Sequence, residues 1–315
     1  MRFNPKARLD TGRMSDAGRG GGGGGGGLGG GGGRIPIPGG LAGGGGILGV
    51  IVVIVFVAIQ LLGGGGGGGG TGLPGGTDLN ASRFTDTGRY ENCKTGEDAN
   101  NSTDCARVAV ENSLTSFWEG ELGGKFHPEK GITTFSGSID TACGGATSAV
   151  GPFYCPTDET IYLDDTFFKD VLEGQLRGPA GAFVEPYVLA HEYGHHISNL
   201  IGTLGAVKGG TGPQSDGVRL ELQADCFAGM WTKHATQTED ADGNVLIQEL
   251  SQEDIDNALA AAKTVGDDYI QKRSGGSVDE ESWTHGSSAQ RQKWFNIGYT
   301  EGTMQACDTF GARTV

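Results

Sequence analysis

The chain has 315 residues, 62 of them glycine, and its formal net charge is −15 at pH 7. Six basic and two acidic residues lie before residue 63, so the rest of the chain holds 17 of the 23 basic and 36 of the 38 acidic residues. This acidic balance argues against a protein that binds nucleic acid, which needs a positively charged surface. We therefore expect no nucleic-acid partner.

Glycine runs divide the chain. Uninterrupted runs such as residues 20–27 and 63–70 bury no apolar surface and are typical of flexible linkers. Without them, roughly 235 residues remain, which is enough for one sizeable core. We predict a basic, glycine-rich cytoplasmic tail at residues 1–46, a Gly/Pro linker at residues 63–77 and a single folded domain at residues 78–315.

Residues 47–62 form an uncharged apolar run, ILGVIVVIVFVAIQLL. With a rise of ~1.5 Å per residue and some flanking glycine, a helix of this length can roughly cross a hydrocarbon layer of ~30 Å. A cleaved signal peptide would need a small-residue cleavage site directly after the run, and the sequence lacks one there. Arginines lie on the N-terminal side. We therefore predict a single-pass anchor in the cell membrane, with a cytoplasmic N-terminus and an extracytoplasmic domain.

All cysteines lie after the apolar run, and their number is even: Cys93, Cys105, Cys143, Cys155, Cys226 and Cys307. An even number in an exported domain indicates disulfides, although the sequence alone leaves several pairings open. Short loops favour Cys93–Cys105 and Cys143–Cys155, which would leave Cys226–Cys307. The alternative is a cysteine metal site, but the sequence contains no Cys-x-x-Cys.

The order of predicted elements indicates the fold class. Apolar residues at helical spacing predict helices at residues 106–122, 165–176, 183–200, 217–236, 252–272 and 288–302. Ser251 with Asp254, and Ser287 with Gln290, have the spacing of capping boxes at two of these helix starts. Strands are predicted, from β-branched and aromatic residues, at residues 132–135 and 160–163. The predicted class is α+β, mostly helical with a small sheet.

Residues 191–195 read His-Glu-Tyr-Gly-His inside a predicted helix. Positions i and i+4 lie on one face of a helix, so His191 and His195 can bind one tetrahedral Zn²⁺. Glu192 can then act as the general base for a water molecule that zinc activates. The pattern is short and arises by chance, but the flanking apolar residues indicate a buried helix, where these polar groups are costly unless they bind something.

A catalytic zinc usually has three protein ligands and one open position. The extended pattern with a third histidine is absent, because Ser198 and Ile201 stand where it requires glycine and histidine. Glu221, on the following predicted helix, is our candidate for the third ligand. Asp225 lies one turn further along the same face and can orient a ligating imidazole by hydrogen bonding. The alternative is that both carboxylates simply face solvent.

His285 precedes a capped helix and is a candidate donor to the oxyanion of a tetrahedral intermediate. Its alternative role is a hydrogen bond at the helix entry. Tyr187 and Tyr193 are further candidates for such a donor. His196 lies about 100° around the helix from His195, so packing or a supporting hydrogen bond fits it better than ligation.

Several runs of residues occur together in this domain: Gly151-Pro152-Phe153-Tyr154-Cys155-Pro156, Ile161-Tyr162-Leu163-Asp164, Val188-Leu189-Ala190-His191-Glu192-Tyr193-Gly194-His195-His196, Glu221-Leu222-Gln223-Ala224-Asp225-Cys226, Thr284-His285-Gly286-Ser287-Ser288-Ala289-Gln290-Arg291 and Cys307-Asp308-Thr309-Phe310. In these runs the chain resembles the neutral zinc metallopeptidase family of bacterial membrane proteins. The resemblance covers most of residues 85–310 and is far more specific than the zinc pattern alone.

The resemblance implies a zincin-like catalytic domain behind one N-terminal transmembrane helix. It also implies an edge strand that pairs with an extended substrate, and residues 160–163 are our candidate by position. The resemblance supplies neither a particular substrate nor an oligomeric state.

Our prediction is a membrane-anchored endopeptidase with Zn²⁺ as cofactor and a peptide or protein as substrate. One alternative is a catalytically silent binding or adaptor protein of the cell envelope, which would have no need of Glu192 beside the metal. A second alternative is a structural zinc domain, which would require a fourth cysteine or histidine ligand, and none is obvious.

Overall fold

The structure is a computed structural model that describes residues 1–20, 84–148 and 150–315. Its helices are α1 (Gly96–Asn101), α2 (Thr103–Leu122), α3 (Val184–Leu200), α4 (Thr203–Ala206), α5 (Asp216–His234), α6 (Gln252–Thr264), α7 (Asp267–Arg273) and α8 (Ser288–Glu301), with a π-helix (Phe167–Gln175) before α3. Its strands are β1 (Arg2–Phe3), β2 (Met14–Arg19), β3 (Gly131–Ser136), β4 (Ser138–Thr141), β5 (Gly144–Thr147), β6 (Phe153–Cys155), β7 (Thr160–Asp164) and β8 (Ile247–Glu249). This mixture of helices and small sheets agrees with the predicted α+β class.

The largest sheet has four strands in the order β2-β3-β7-β6. The β-branched run of β3 pairs parallel with both β2 and β7, and β6 pairs antiparallel with β7. The prediction that residues 160–163 form the edge strand is wrong, because β7 is covered on both sides. Among the strands that the structure describes, the edge next to β7 is β6. Sequence pattern could not show this, because β6 has only three residues.

Residues 1–20 belong to the fold. β1 pairs antiparallel with β8, and β2 pairs parallel with β3. Residues just after the predicted linker also lie beside β2, since the Thr87 amide donates to the Asp16 carbonyl at 3.0 Å. Residues 1–20 therefore pack together with the described residues from 84 onward, which differs from the separate tail predicted for residues 1–46. Their strands are short and lie before a long glycine run, which concealed them in the sequence.

The helices pack closely where glycine removes a side chain. A Cβ atom at Gly298 would lie 1.9 Å from the Cys226 carbonyl oxygen, and one at Gly229 would lie 2.1 Å from that of Phe295. Glycine at these two positions therefore allows α8 to pack closely against α5. The single helix predicted at residues 252–272 is divided into α6 and α7 near Gly266, where a Cβ atom would meet the backbone of α8 at 2.4 Å.

The helix caps and disulfides agree with those predicted from the sequence. Both predicted capping boxes are present, at the starts of α6 and α8. The structure contains three disulfides, Cys93–Cys105, Cys143–Cys155 and Cys226–Cys307, which confirms the favoured pairing. The last of these ties the middle of α5 to the C-terminal segment.

Within the described part of the chain, no helix has both the length and the apolar character required to cross a membrane. The predicted anchor at residues 47–62 and the linker at residues 63–77 lie outside the described residues. Membrane attachment therefore stays a prediction.

Candidate active site

Helix α3 carries the first three candidate site residues. It is buried over most of its length, from Val184 to Ser198, as the apolar spacing predicted. His191 and His195 lie one turn apart, with ring centroids separated by 4.8 Å and rings nearly perpendicular. Both imidazoles are therefore on one face of the helix and point toward the same space.

Glu221 on α5 completes the group. One carboxylate oxygen lies 3.2 Å from Nε2 of His191, and the other lies 3.3 Å from Nε2 of His195. One ligand atom from each of the three residues can be chosen so that all lie within 4.8 Å of one another. Three buried side chains, separated by up to 30 positions in the sequence, thus converge on one point.

Gly194 allows the two helices to approach. A Cβ atom at this position would lie 2.9 Å from Cα of Ala224 and 3.0 Å from its carbonyl oxygen. Contacts this short are not tolerated by a real side chain, so any larger residue would separate α3 from α5. The glycine between the two histidines therefore sets the distance from the imidazoles to Glu221.

Asp225 lies one turn after Glu221 and contacts the opposite side of the first imidazole. Its Oδ1 atom accepts from Nδ1 of His191 at 2.9 Å and from the Tyr187 hydroxyl at 2.6 Å. Arg291 on α8 donates to both carboxylate oxygens, at 2.7 and 3.0 Å. Asp225 is thus the point at which α3, α5 and α8 meet, and it holds His191 with Nε2 directed toward Glu221.

The pKa values of the buried groups are shifted in the directions expected at a site that binds a cation. Burial would raise the pKa of the Asp225 carboxyl, but Arg291 and His191 outweigh it and lower this pKa to about 2. Burial would lower the pKa of His191, but Asp225 and Glu221 raise it to about 10. Against the opposing effect of burial, the imidazoles hold the pKa of Glu221 well below its usual range. The carboxylates therefore stay ionised and favour positive charge between them.

Glu192 faces a cavity of about 60 Å³ next to these groups. Burial raises the pKa of its carboxyl group. Its Oε2 atom has no hydrogen-bond partner among the described residues. The wall of the cavity is mostly apolar and is formed by Val150, Pro152, Phe167, Tyr187, Val188 and Val265, with His191, Glu192, Glu221, His285 and Arg291 as its polar part.

His285 reaches the same cavity from the loop before α8. Its Nδ1 atom lies 2.9 Å from the Thr284 hydroxyl and 3.3 Å from Oδ1 of Asp267. The other Asp267 oxygen accepts from the backbone amides of Thr284, His285 and Gly286. Nε2 of His285 is buried and has no hydrogen-bond partner among the described residues. Asp267 therefore fixes both the loop and the imidazole, and leaves Nε2 to face the cavity.

The structure also distinguishes the positions of the other candidates, Tyr187, Tyr193 and His196. Tyr193 does not line the cavity, because it lies on the far side of α3, where its hydroxyl is 3.1 Å from the Thr115 hydroxyl. Tyr187 does line the cavity, but its hydroxyl is bound to Asp225. His196 bonds to the Tyr154 hydroxyl and to the His127 carbonyl, which agrees with a supporting role.

The sequence pattern assigns no role to two residues of the site. Arg291 lies within a quoted motif, and its position one turn into a capped helix was the only available signal. Asp267 had no signal at all, because it begins α7, whereas the apolar spacing predicts one continuous helix through this position. Arg291 and Asp267 each support another side chain, and no sequence pattern predicts such a role.

The chain is similar to several curated bacterial proteins. It is 50% identical to the uncharacterized proteins Rv2575 of Mycobacterium tuberculosis and Mb2605 of Mycobacterium bovis, over 70% of this chain and 75% of each relative. It is 39% identical to the uncharacterized protein YpfJ of Escherichia coli, over 61% of this chain and 65% of that protein. No solved structure matches the chain.

A family profile described as "Putative neutral zinc metallopeptidase" matches residues 4–310. The match begins directly after β1 and includes the whole four-stranded sheet and every residue of the candidate site. It covers nearly the entire chain, so the chain belongs to this zinc metallopeptidase family.

Proposed function

We propose that the protein is a zinc-dependent endopeptidase with a zincin-like active site. The observation that carries this proposal is the convergence of His191, His195 and Glu221 beside the free carboxylate oxygen of Glu192. Two imidazoles and one carboxylate are a ligand set that catalytic zinc sites use, with the remaining position left for water or substrate.

The residues present fit a zinc ion. All three ligand groups are buried, and a buried carboxylate needs positive charge beside it, which a metal ion bound between these groups would supply. Asp225 supplies the supporting hydrogen bond that fixes the tautomer of a metal-binding histidine. A bound Zn²⁺ would lower the pKa of water and polarise the carbonyl of a peptide bond. Its binding would require His191 to release the proton on Nε2.

Glu192 would act as general base. Burial raises its pKa, so its carboxylate is a stronger base than an exposed glutamate. It would accept a proton from the attacking water and then give that proton to the amine that leaves. Its unpartnered oxygen faces the cavity, where both transfers would take place.

His285 would stabilise the negative charge that develops on the carbonyl oxygen. Burial would lower its pKa, but Asp267 outweighs this effect and raises it. The protonated imidazole can donate from Nε2 into the cavity while Nδ1 donates to Asp267. A donor held in place before the reaction is the arrangement that stabilises an oxyanion most effectively.

The substrate would be an extended peptide that pairs with β6. This strand is an edge of the described sheet, and residues just before it, Val150 and Pro152, line the cavity. Tyr154 in β6 bonds to His196 and Asn199 of α3, which fixes the strand relative to the metal-binding helix. Backbone pairing along β6 would carry the scissile bond past Glu192.

We propose that the domain works outside the cytoplasm. Its three disulfides are typical of an oxidising compartment. The proposed substrates are therefore peptides or proteins of the cell envelope or the medium.

Substitution of Glu192 by glutamine tests the proposed mechanism. The wild type should cut a peptide library in a chelator-sensitive way, with products read by mass spectrometry. Glu192→Gln should keep bound zinc and lose about 10²- to 10⁴-fold in rate. Glu119→Gln, an exposed change on α2, is the matched control. Full activity in Glu192→Gln, or no cleavage by the zinc-loaded wild type, would exclude the proposal, and the latter result would favour a silent binding protein.

A further inference from the structure

The surface that residues 1–20 occupy is shaped to receive them. A Cβ atom at Gly96 would lie 1.9 Å from the carbonyl oxygen of Asn4, and one at Gly131 would lie 2.9 Å from that of Arg13. Neither glycine has a positive φ, so backbone conformation does not require glycine there. The absence of a side chain at both positions is therefore explained by the close approach of the N-terminal segment.

The segment also contributes to the main hydrophobic core. Phe3, Ala7 and Met14 are exposed by only 3%, 0% and 6% of their surface. They pack in the same cluster as the apolar residues of α2, α3 and α5. Without the segment, this side of the core would be open to water.

Arg13 lies beside two buried carboxyl groups. Its Nε atom lies 2.6 Å from Glu111 of α2 and 3.8 Å from Glu129, and both glutamates are essentially buried. Burial and the neighbouring Glu111 raise the pKa of Glu129, while Arg13 acts in the opposite direction. Among the described residues, no other arginine, lysine or histidine forms an ion pair with these two carboxylates. A buried charge that loses its partner costs several kcal/mol.

A chain of polar contacts leads from Arg13 to the metal-binding helix. The Thr115 hydroxyl donates to the same Glu111 oxygen at 2.8 Å, and it lies 3.1 Å from the Tyr193 hydroxyl. Tyr193 is next to Glu192 in α3, on the opposite side from the cavity. The N-terminal segment and the candidate active site therefore support the same helix from two sides.

We propose that residues 1–20 are an internal part of the catalytic domain, with Arg13 as a positioning residue behind the metal-binding helix, and that they lie in the same compartment as the metal site. The second part follows from the first, because a segment paired with β3 and β8 cannot be on the other side of a membrane from them. This differs from the single-pass arrangement predicted from the sequence, which puts residues 1–46 in the cytoplasm. The proposal does not depend on peptidase activity.

Charge substitution tests the role of Arg13 in the full-length protein. Arg13→Met should lower the midpoint of thermal unfolding and weaken zinc binding, whereas Arg8→Met, which removes an exposed arginine, should do neither. Arg13→Lys should recover part of both properties. Arg13→Met combined with Glu111→Gln and Glu129→Gln should also recover them, because no unpaired buried charge remains. Equal behaviour of Arg13→Met and Arg8→Met, or no recovery in the triple variant, would overturn the positioning role.

Cysteine labelling in intact bacterial cells tests the compartment. All six native cysteines are in disulfides, so single exposed cysteines introduced at Lys6 and Lys125 report only their own positions. With a maleimide that does not cross membranes, Lys6→Cys and Lys125→Cys should be labelled under the same condition. Either both are labelled in intact cells, or both are labelled only after permeabilisation. Labelling of Lys125→Cys in intact cells, with Lys6→Cys labelled only after permeabilisation, would overturn the proposal. The result is independent of whether the protein cleaves peptides.

Discussion

Nδ1 of His191 lies 2.9 Å from Oδ1 of Asp225, and the same carboxylate is held by Arg291 and Tyr187. This contact joins a residue of α3 to one of α5 and, through Arg291, to α8. The imidazole is thereby turned so that its Nε2 atom faces Glu221. The orientation of the first candidate ligand is thus determined by three helices rather than by its own helix alone.

Asp225→Asn should weaken zinc binding by about 10- to 100-fold. Asparagine has nearly the same shape, but it lacks the negative charge that fixes the imidazole tautomer and pairs with Arg291. Competition with a fluorescent zinc chelator would measure the change. Asp256→Asn, an exposed substitution on α6, should leave zinc affinity unchanged. Wild-type affinity in Asp225→Asn would contradict the assigned role.

Asp225 and Arg291 should be coupled. Each single substitution, Asp225→Asn or Arg291→Met, leaves a buried group without its charged partner and should cost roughly 3–5 kcal/mol in the free energy of unfolding. The double variant should lose less than the sum of the two single losses. Chemical denaturation of the metal-free protein would measure all three. Simple additivity would show that the two side chains act independently.

Gly194→Ala should reduce zinc affinity by separating α3 from α5. The new methyl group would meet the backbone of Ala224 at 2.9 Å, so Glu221 should move away from the two imidazoles. Gly205→Ala in α4 is the matched control, because no atom lies within 4 Å of the added Cβ. Zinc titration of both variants, together with their unfolding midpoints, would check this. If the two variants bind zinc equally well, the glycine does not set the helix distance.

Glu129→Gln should change how stability depends on pH. Burial and Glu111 raise the pKa of Glu129 above its ordinary value of 4.5. At pH values between the ordinary pKa and the raised pKa, the folded protein therefore binds a proton that the unfolded chain has lost. The free energy of unfolding should then fall as pH rises above about 4.5, by at most about 1.4 kcal/mol per pH unit. Denaturation at several pH values should show a weaker decline in Glu129→Gln than in the exposed control Glu119→Gln. Parallel curves for the two variants would argue against the raised pKa.

Loss of the disulfide Cys226–Cys307 should cost more than loss of Cys143–Cys155. The first closes a separation of 81 residues and the second a separation of 12. The entropy of the unfolded chain makes the longer loop worth roughly 1–2 kcal/mol more. Paired alanine substitutions and denaturation would compare them. A larger loss from the shorter loop would show that strain or packing, rather than loop closure, dominates.

Much of the candidate site could be predicted from the sequence. His191, Glu192 and His195 were identifiable because they form one short pattern, and Glu221 with Asp225 because four-residue spacing puts them on one helix face. The supporting residues could not be found in this way. Asp267 acts on His285 across 18 positions, and Arg291 acts on Asp225 across 66, and such contacts depend on how helices pack.

The fold was predicted in class and in most helix positions, since apolar spacing decides both. Strand order was not predicted, because pairing in a sheet is non-local and three residues of β6 give no periodic signal. The role of residues 1–20 was missed for a different reason. The glycine run is a boundary in composition but not in the fold, because Arg13 and β2 precede it and contact residues that follow it.

X-ray absorption at the zinc edge would decide whether His191, His195 and Glu221 bind one ion, because it reports which atoms bind the ion in the full-length protein. We expect one zinc per chain, bound by two imidazole nitrogens and a carboxylate oxygen, with a further oxygen ligand that exchanges with an added small inhibitor. Substitution of His195 or Glu221 by alanine should abolish this spectrum. A sulfur ligand, a fourth protein ligand that excludes exchange, or an unchanged spectrum in both alanine variants would contradict it.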